Sequence, residues 1–150
     1  MKIILYQPDI AQNLGAVMRL CACFDTPLEV IEPCGFPLTV KALRRTAMDY
    51  SAPDKLVRHK SWDRFCDSPQ TGRLVLLTTK AATPLTDFEF RPDDRLIFGR
   101  ESAGAPDEVH AKADARIIIP INPDVRSFNL ATSVSISLYE GLRQTDGLPE

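Results

Sequence analysis

The residues best equipped for chemistry in this 150-residue chain fall in three short segments. The first reads Pro8-Asp9-Ile10-Ala11-Gln12-Asn13-Leu14-Gly15-Ala16-Val17-Met18-Arg19 and the second Phe98-Gly99-Arg100-Glu101-Ser102-Ala103-Gly104. The third runs from Ile119-Pro120-Ile121 to Arg126-Ser127-Phe128-Asn129-Leu130-Ala131-Thr132-Ser133. Arg19 and Arg126 offer permanent positive charge, suited to a phosphate or to a developing oxyanion, although a solvated arginine is the plain alternative. Asn13 and Ser127 stand at helix starts, where they serve equally well as caps. Gly99 and Gly104 carry no Cβ and let the backbone approach a ligand. Glu101 is placed to accept hydrogen bonds from nearby loop N–H groups.

Other chemistries lack their residues. There is no Gly-x-Gly-x-x-Gly, so a dinucleotide fold loses its main support. Gly99 and Gly104 have phosphate-loop spacing, but Ala105-Pro106 stands where Lys and Ser/Thr are required. No Ser/His/Asp set or paired carboxylates stand out in the loops. Cys21-x-Cys23 lies within a helical pattern, where positions two apart face different ways. With His59 and His110 far off in sequence, the cysteines read as thiols and no metal site is expected.

The elements that must position these loops alternate between strand and helix. Strand patterns cover Lys2–Tyr6, Leu28–Ile31, Leu56–His59, Leu74–Thr78, Leu96–Phe98 and Arg116–Ile119. Helical patterns cover Gln12–Phe24, Val40–Ala47, Trp62–Cys66, Pro106–Ala111 and Ser127–Arg143. That alternation predicts an α/β fold, a mostly parallel sheet with helices on both faces. Such sheets bind ligands outside the carboxyl ends of their strands, where the three segments fall. In the last helix, Leu130, Val134, Leu138 and Leu142 form a core stripe. Ser127, Ala131, Ser135 and Tyr139 form a second face, suited to a subunit contact or to burial against the sheet.

Composition is that of a globular domain: 44% hydrophobic, 25% charged, net charge −2. A generally basic nucleic-acid coat is excluded; a local basic patch is not. Residues 41–60 hold Lys41, Arg44, Arg45, Lys55, Arg58 and Lys60 against Asp49 and Asp54, a local net charge of +4. No apolar run approaches the ~18–20 residues of a membrane span. Met1–Tyr6 is too short for a signal-peptide core. Four cysteines without a secretion signal point to a reduced, cytoplasmic setting. We expect one domain over residues 1–150, with Thr145–Glu150 as a frayed tail.

The patterns Asn-x-Gly-x-x-x-Arg, Phe-Gly-x-Glu-x-x-Gly and Ile-Pro…Arg-Ser-x-Asn-x-(Ser/Ala), in this order, resemble the three motifs of the SPOUT RNA methyltransferases. Ile31-Glu32-Pro33-x-Gly35-Phe36, Leu43-Arg44-Arg45 with Asp49-Tyr50, and Leu77-Thr78-Thr79-Lys80 extend the likeness from Lys2 to about Arg143. The branch it resembles is the small wobble-nucleotide tRNA 2′-O-methyltransferases of the TrmL type.

The resemblance implies an S-adenosyl-L-methionine cofactor without a metal, a homodimer, and a deep C-terminal trefoil knot, which base rates alone would not suggest. It assigns Leu77, Gly99, Gly104, Ile119, Ser127 and Asn129 to the cofactor, with Leu77 and Ile119 as apolar walls. Arg19 and Asn13 become the catalytic candidates, Arg19 by stabilising an alkoxide or holding a phosphate rather than as a literal base. Arg44, Arg45, Arg126 and Tyr139 become candidates for RNA contact, Tyr139 alternatively for the interface. Phe36 and Tyr50 are candidates to stack on a splayed base of the anticodon stem-loop. The implied substrate is cytidine or modified uridine at position 34, with leucine tRNAs expected. Arg100, Ala103, Ala105 and Ile121 depart from residues common in that branch, which bears on substrate rather than cofactor. Alternatives are another tRNA position or ribosomal RNA, a non-catalytic RNA-binding module, and a metabolic enzyme with a phosphate cofactor.

Overall fold

A computed structural model describes residues 1–47 and 56–150. In chain order the elements are β1 (Lys2–Tyr6), α1 (Ala11–Cys23), β2 (Leu28–Ile31), α2 (Val40–Ala47), β3 (Leu56–His59), α3 (Trp62–Asp67) and β4 (Leu74–Leu77). There follow β5 (Thr83–Pro84), a 3₁₀ turn at Leu85–Asp87, β6 (Arg95–Phe98), α4 (Asp107–Lys112), β7 (Ala115–Ile118) and α5 (Leu130–Gln144). The strands form one seven-stranded sheet in the order β3-β2-β1-β6-β4-β7-β5. Every pairing is parallel, as expected of a sheet buried on both faces.

Side chains alternate across the strands, so the sheet carries two cores. Ile3 and Leu5 of β1 join Leu14, Val17, Val134 and Leu138 on the face covered by α1 and α5. Ile4 and Tyr6 join Trp62, Phe65 and Val109 on the face covered by α3 and α4. The Leu130, Val134, Leu138, Leu142 stripe is buried throughout. Leu148 also packs against the first core, so this tail residue has a place in it.

Polar groups inside the sheet are paired. Glu29 on β2 is buried, accepting hydrogen bonds from Lys2 Nζ (2.6 Å) and pairing with His59 Nε2 (2.7 Å), which joins β1, β2 and β3. Asp94 accepts two bonds from the Arg73 guanidinium (2.9 and 2.8 Å) and one from Arg91 N–H (2.8 Å) before β6.

Two expectations need correction. The last helix starts at Leu130, not Ser127, because the Asn129 side chain is its cap: Oδ1 accepts from Ala131 N–H (2.9 Å) and Thr132 N–H (3.4 Å). Ser127 therefore lies in the preceding loop and does not cap the helix. The short edge strand β5 and its 3₁₀ turn carry too few residues for periodicity to reveal. Their proline is tolerated because an edge strand has a free side.

Candidate active site

Three loops leave the carboxyl ends of β4, β6 and β7 and meet the start of α1 around a cavity of about 640 Å³. That volume suits a small organic ligand. Of the residues assigned to a cofactor, Leu77, Gly99, Gly104, Ile119, Ser127 and Asn129 all line it, together with Asn13 and Arg126. Leu77 ends β4 and Ile119 follows β7, so both present half-buried apolar side chains to the cavity.

The loop after β6 is folded tightly on itself. Arg100 N–H donates to Gly104 O (3.2 Å) and Gly104 N–H donates back to Arg100 O (2.8 Å). A Cβ on Gly99 would lie 2.3 Å from Ala105 N, so no other residue fits there. Gly104 has φ +68, which closes the turn, and faces open space.

Helix α1 starts without a cap of its own, since Ile10 has no side chain that can accept. Glu101, from the neighbouring loop, instead pins the residues that lead into the helix. Its Oε2 accepts from Asp9 N–H (2.7 Å), and its Oε1 accepts from Ile10 N–H (3.2 Å) and Asn13 Nδ2 (3.1 Å). A carboxylate at a helix N-terminus is also favoured by the helix dipole. Asn13 is buried, and its Oδ1 accepts from Asn129 Nδ2 (2.9 Å). One chain of hydrogen bonds thus runs from Glu101 through Asn13 to Asn129 and the cap of α5.

Asp9 makes the reverse connection. It accepts from Arg100 Nη2 (2.9 Å), Ser102 N–H (3.0 Å) and Ser102 Oγ (2.6 Å). The Ser102 hydroxyl, with help from Ser102 N–H and Arg100, holds the Asp9 carboxyl below the usual carboxylate range against a partial desolvation. On the loop's other side, burial and the nearby Glu108 carboxylate push the Tyr6 phenol up. Sequence reasoning missed Asp9 and Ser102 as site residues, and took Arg100 only as a departure. The signal lies in pairing across 91 residues, which no local spacing reveals. His110, Lys80 and Phe128 also line the cavity.

The remaining candidates lie elsewhere. Arg19 is exposed on α1, roughly 9 Å along the axis from Asn13 at 1.5 Å per residue, and does not line the cavity. Arg44 and Arg45 are exposed in the last turn of α2. Tyr139 is 51% exposed, sets its ring edge-on to Phe24 at 6.2 Å, and lines a separate apolar concavity with Leu20, Phe24 and Ile136. Phe36 is half-buried against the core. Arg58 is taken from the basic cluster by two bonds to Glu32 (2.8 and 3.2 Å) and one to Leu38 O (2.9 Å). Asp49, Tyr50, Asp54 and Lys55 lie outside the described residues. Among the described residues no group of three or more His, Cys, Asp or Glu is arranged to hold a metal ion.

The model of the SpoU rRNA Methylase family matches residues 1–139. The chain belongs to the SpoU methylase family. A relative from Beijerinckia indica, named tRNA (cytidine(34)-2′-O)-methyltransferase, is 52% identical over 97% of this chain and 92% of its own length. An Escherichia coli K12 protein of the same name is 38% identical over 96% and 93%. A solved structure described as "Structural insights into the 2-OH methylation of C/U34 on tRNA" superposes with a TM-score of 0.88 at 38% identity, covering 95% of this chain and 94% of that one. The SpoU methyltransferase AviRb from Streptomyces viridochromogenes, solved with AdoMet, shares the fold at TM-score 0.77 and 24% identity, covering 96% of this chain and 57% of that one. The mostly parallel α/β sheet and the SPOUT-type family expected from the motifs are thereby shown.

Proposed function

We propose that this chain transfers the methyl group of S-adenosyl-L-methionine to the ribose 2′-hydroxyl of the wobble nucleotide of tRNA, cytidine or modified uridine at position 34, with leucine isoacceptors among its substrates. The observation that carries this reading is one cavity built from all three motif loops, in a chain similar over nearly its full length to wobble methyltransferases. The residues fit the cofactor. Gly99 and Gly104 keep Cβ atoms out of a close-approach loop, and Leu77 and Ile119 supply apolar walls for an adenine. Ser127 and backbone groups of the β6 and β7 loops supply hydrogen bonds.

When bound, the cofactor supplies a methyl group already activated for displacement. The chain's own residues have then to align the ribose oxygen and stabilise the charge that develops on it. Arg19 takes the second task, since a guanidinium remains protonated and serves as a charge rather than a base. Asn13 is engaged by Glu101 and Asn129, so it positions α1 and the α5 cap instead of touching the ribose. Arg126 at the cavity and Arg44-Arg45 on α2 bind backbone phosphates, which place the RNA without reading sequence.

Arg19 lies outside its own chain's cavity, which supports a site shared between two protomers. The apolar concavity of Leu20, Phe24, Ile136 and Tyr139 on α1 and α5 is the surface for that homodimer, Tyr139 serving the interface. A C-terminal trefoil knot belongs to the same reading: α5 follows β7 and packs back on α1 and β6. Four free cysteines suit a cytoplasmic setting.

The test is incubation with methyl-labelled S-adenosylmethionine and unmodified total tRNA, followed by mapping of the labelled 2′-O-methyl nucleotide. Label at position 34 is expected. Label elsewhere in tRNA, or no label on tRNA although the cofactor binds, overturns the substrate and leaves the chemistry.

A further inference from the structure

Two segments far apart in the chain exchange carboxylates. Glu101, on the cavity loop, receives Asp9 N–H, Ile10 N–H and Asn13 Nδ2. Asp9, at the start of α1, receives Arg100 Nη2, Ser102 N–H and Ser102 Oγ. The bonds cross in both directions, so neither segment can shift without the other.

Each half is itself stiff. The cavity loop is closed by the mutual Arg100–Gly104 backbone bonds. Asp9 is backed on its far side by Gly35, whose N–H donates to Pro8 O (3.0 Å). A Cβ on Gly35 would come within 2.9 Å of Asp9 Cα and O, so this packing leaves no slack. Arg100 meanwhile lines the cavity and retains a buried Nε with no hydrogen-bond partner. That atom is closed off from the cavity, but Arg100, Glu101 and Ser102 all line it, so the bonds between the two segments border the space a ligand fills.

We infer that this Asp9–Arg100–Ser102 and Glu101 clasp couples occupancy of the cavity to the placement of α1, so that the cofactor-loaded protein binds tRNA more tightly than the empty one. Asp9, Arg100 and Ser102 are positioning residues: they act through the first turn of α1 on Arg19, ten residues further along the helix-bearing segment. The inference rests on the reading of the cavity as a cofactor site and of α1 as facing RNA. Coupling between two ligands is reciprocal, so tRNA must tighten cofactor binding by the same factor.

The experiment measures affinity for unmodified tRNA with and without saturating S-adenosylhomocysteine, on the full chain and on Asp9→Ala. Arg100→Gln and Ser102→Ala serve as milder variants where Asp9→Ala does not fold. Roughly tenfold tightening is expected in the unaltered protein, within the usual span of couplings. It falls below about twofold in the folded variants. A merely structural role lowers the melting temperature and leaves the tightening factor intact, which overturns the inference. Absence of tightening in the unaltered protein, with S-adenosylhomocysteine bound, overturns it too and leaves the cavity reading standing. Failure of S-adenosylhomocysteine to bind the unaltered protein overturns both.

Discussion

Arg19 and Asn13 share one helix and one motif, yet their surroundings separate their roles. Asn13 is buried with partners on both sides, whereas Arg19 is exposed. Arg19→Ala is expected to lower kcat by about 10²–10³, the usual effect of removing a donor to developing charge, with cofactor affinity unchanged. Single-turnover methylation beside a cofactor titration checks this, and a parallel loss of cofactor binding would sink the assignment. At the other end of the sheet, burial pushes the Glu29 carboxyl up, but the Lys2 and His59 contacts outweigh it and hold it below the usual carboxylate range. A depressed folded pKa means that Glu29 contributes stability above the unfolded value, and that this is lost as pH falls through the folded one. Glu29→Gln is expected to cost about 2 kcal/mol near neutral pH and to flatten the acid limb of stability. Urea unfolding across pH 3–7 would show an unchanged slope if the idea is wrong.

At the scale of elements, the site depends on how two helices begin. The entry to α1 and the cap of α5 both rest on side chains that reach other elements: Glu101 holds Asp9 and Ile10 before α1, and Asn129 caps α5. Asn129→Ala removes a cap and a tie to α1 together. It is expected to cost about 1–2 kcal/mol of stability, and Asn129→Asp is expected to restore the cap to α5 but not the donor to Asn13. Methylation that recovers fully in Asn129→Asp would show that the tie to Asn13 is idle. The start of α5 was also where sequence reasoning failed. Arg126-Ser127-Phe128-Asn129 contains two good capping residues, and pattern alone favoured the earlier one. The chain takes the later one because Asn129 can bridge to Asn13, a contact that exists only after α1 and α5 have packed.

For the whole molecule, the cavity lies at the carboxyl ends of β4, β6 and β7, and the exposed apolar surface around Tyr139 lies on the face covered by α1 and α5. A shared site requires that surface to be covered by a second copy. Tyr139→Arg is expected to shift the protein from dimer to monomer in sedimentation velocity, and to reduce methylation at least tenfold at concentrations where the parent is dimeric. A monomeric variant with full activity would show that each chain works alone, and that Arg19 reaches the cavity of its own protomer.

The sequence by itself determined the α/β class, most strand and helix positions, and the three loops that build the cavity. Those properties follow from local periodicity and from glycines and polar residues placed after strands, which are read within a few neighbours. The strand order, with β6 between β1 and β4, was left to the tertiary structure. So were the separation of Arg19 from the cavity, the use of Arg58 on Glu32, and the clasp between Asp9 and the loop after β6. Each depends on groups distant in the chain meeting in space, and a charged side chain's role is decided by the partner it meets there.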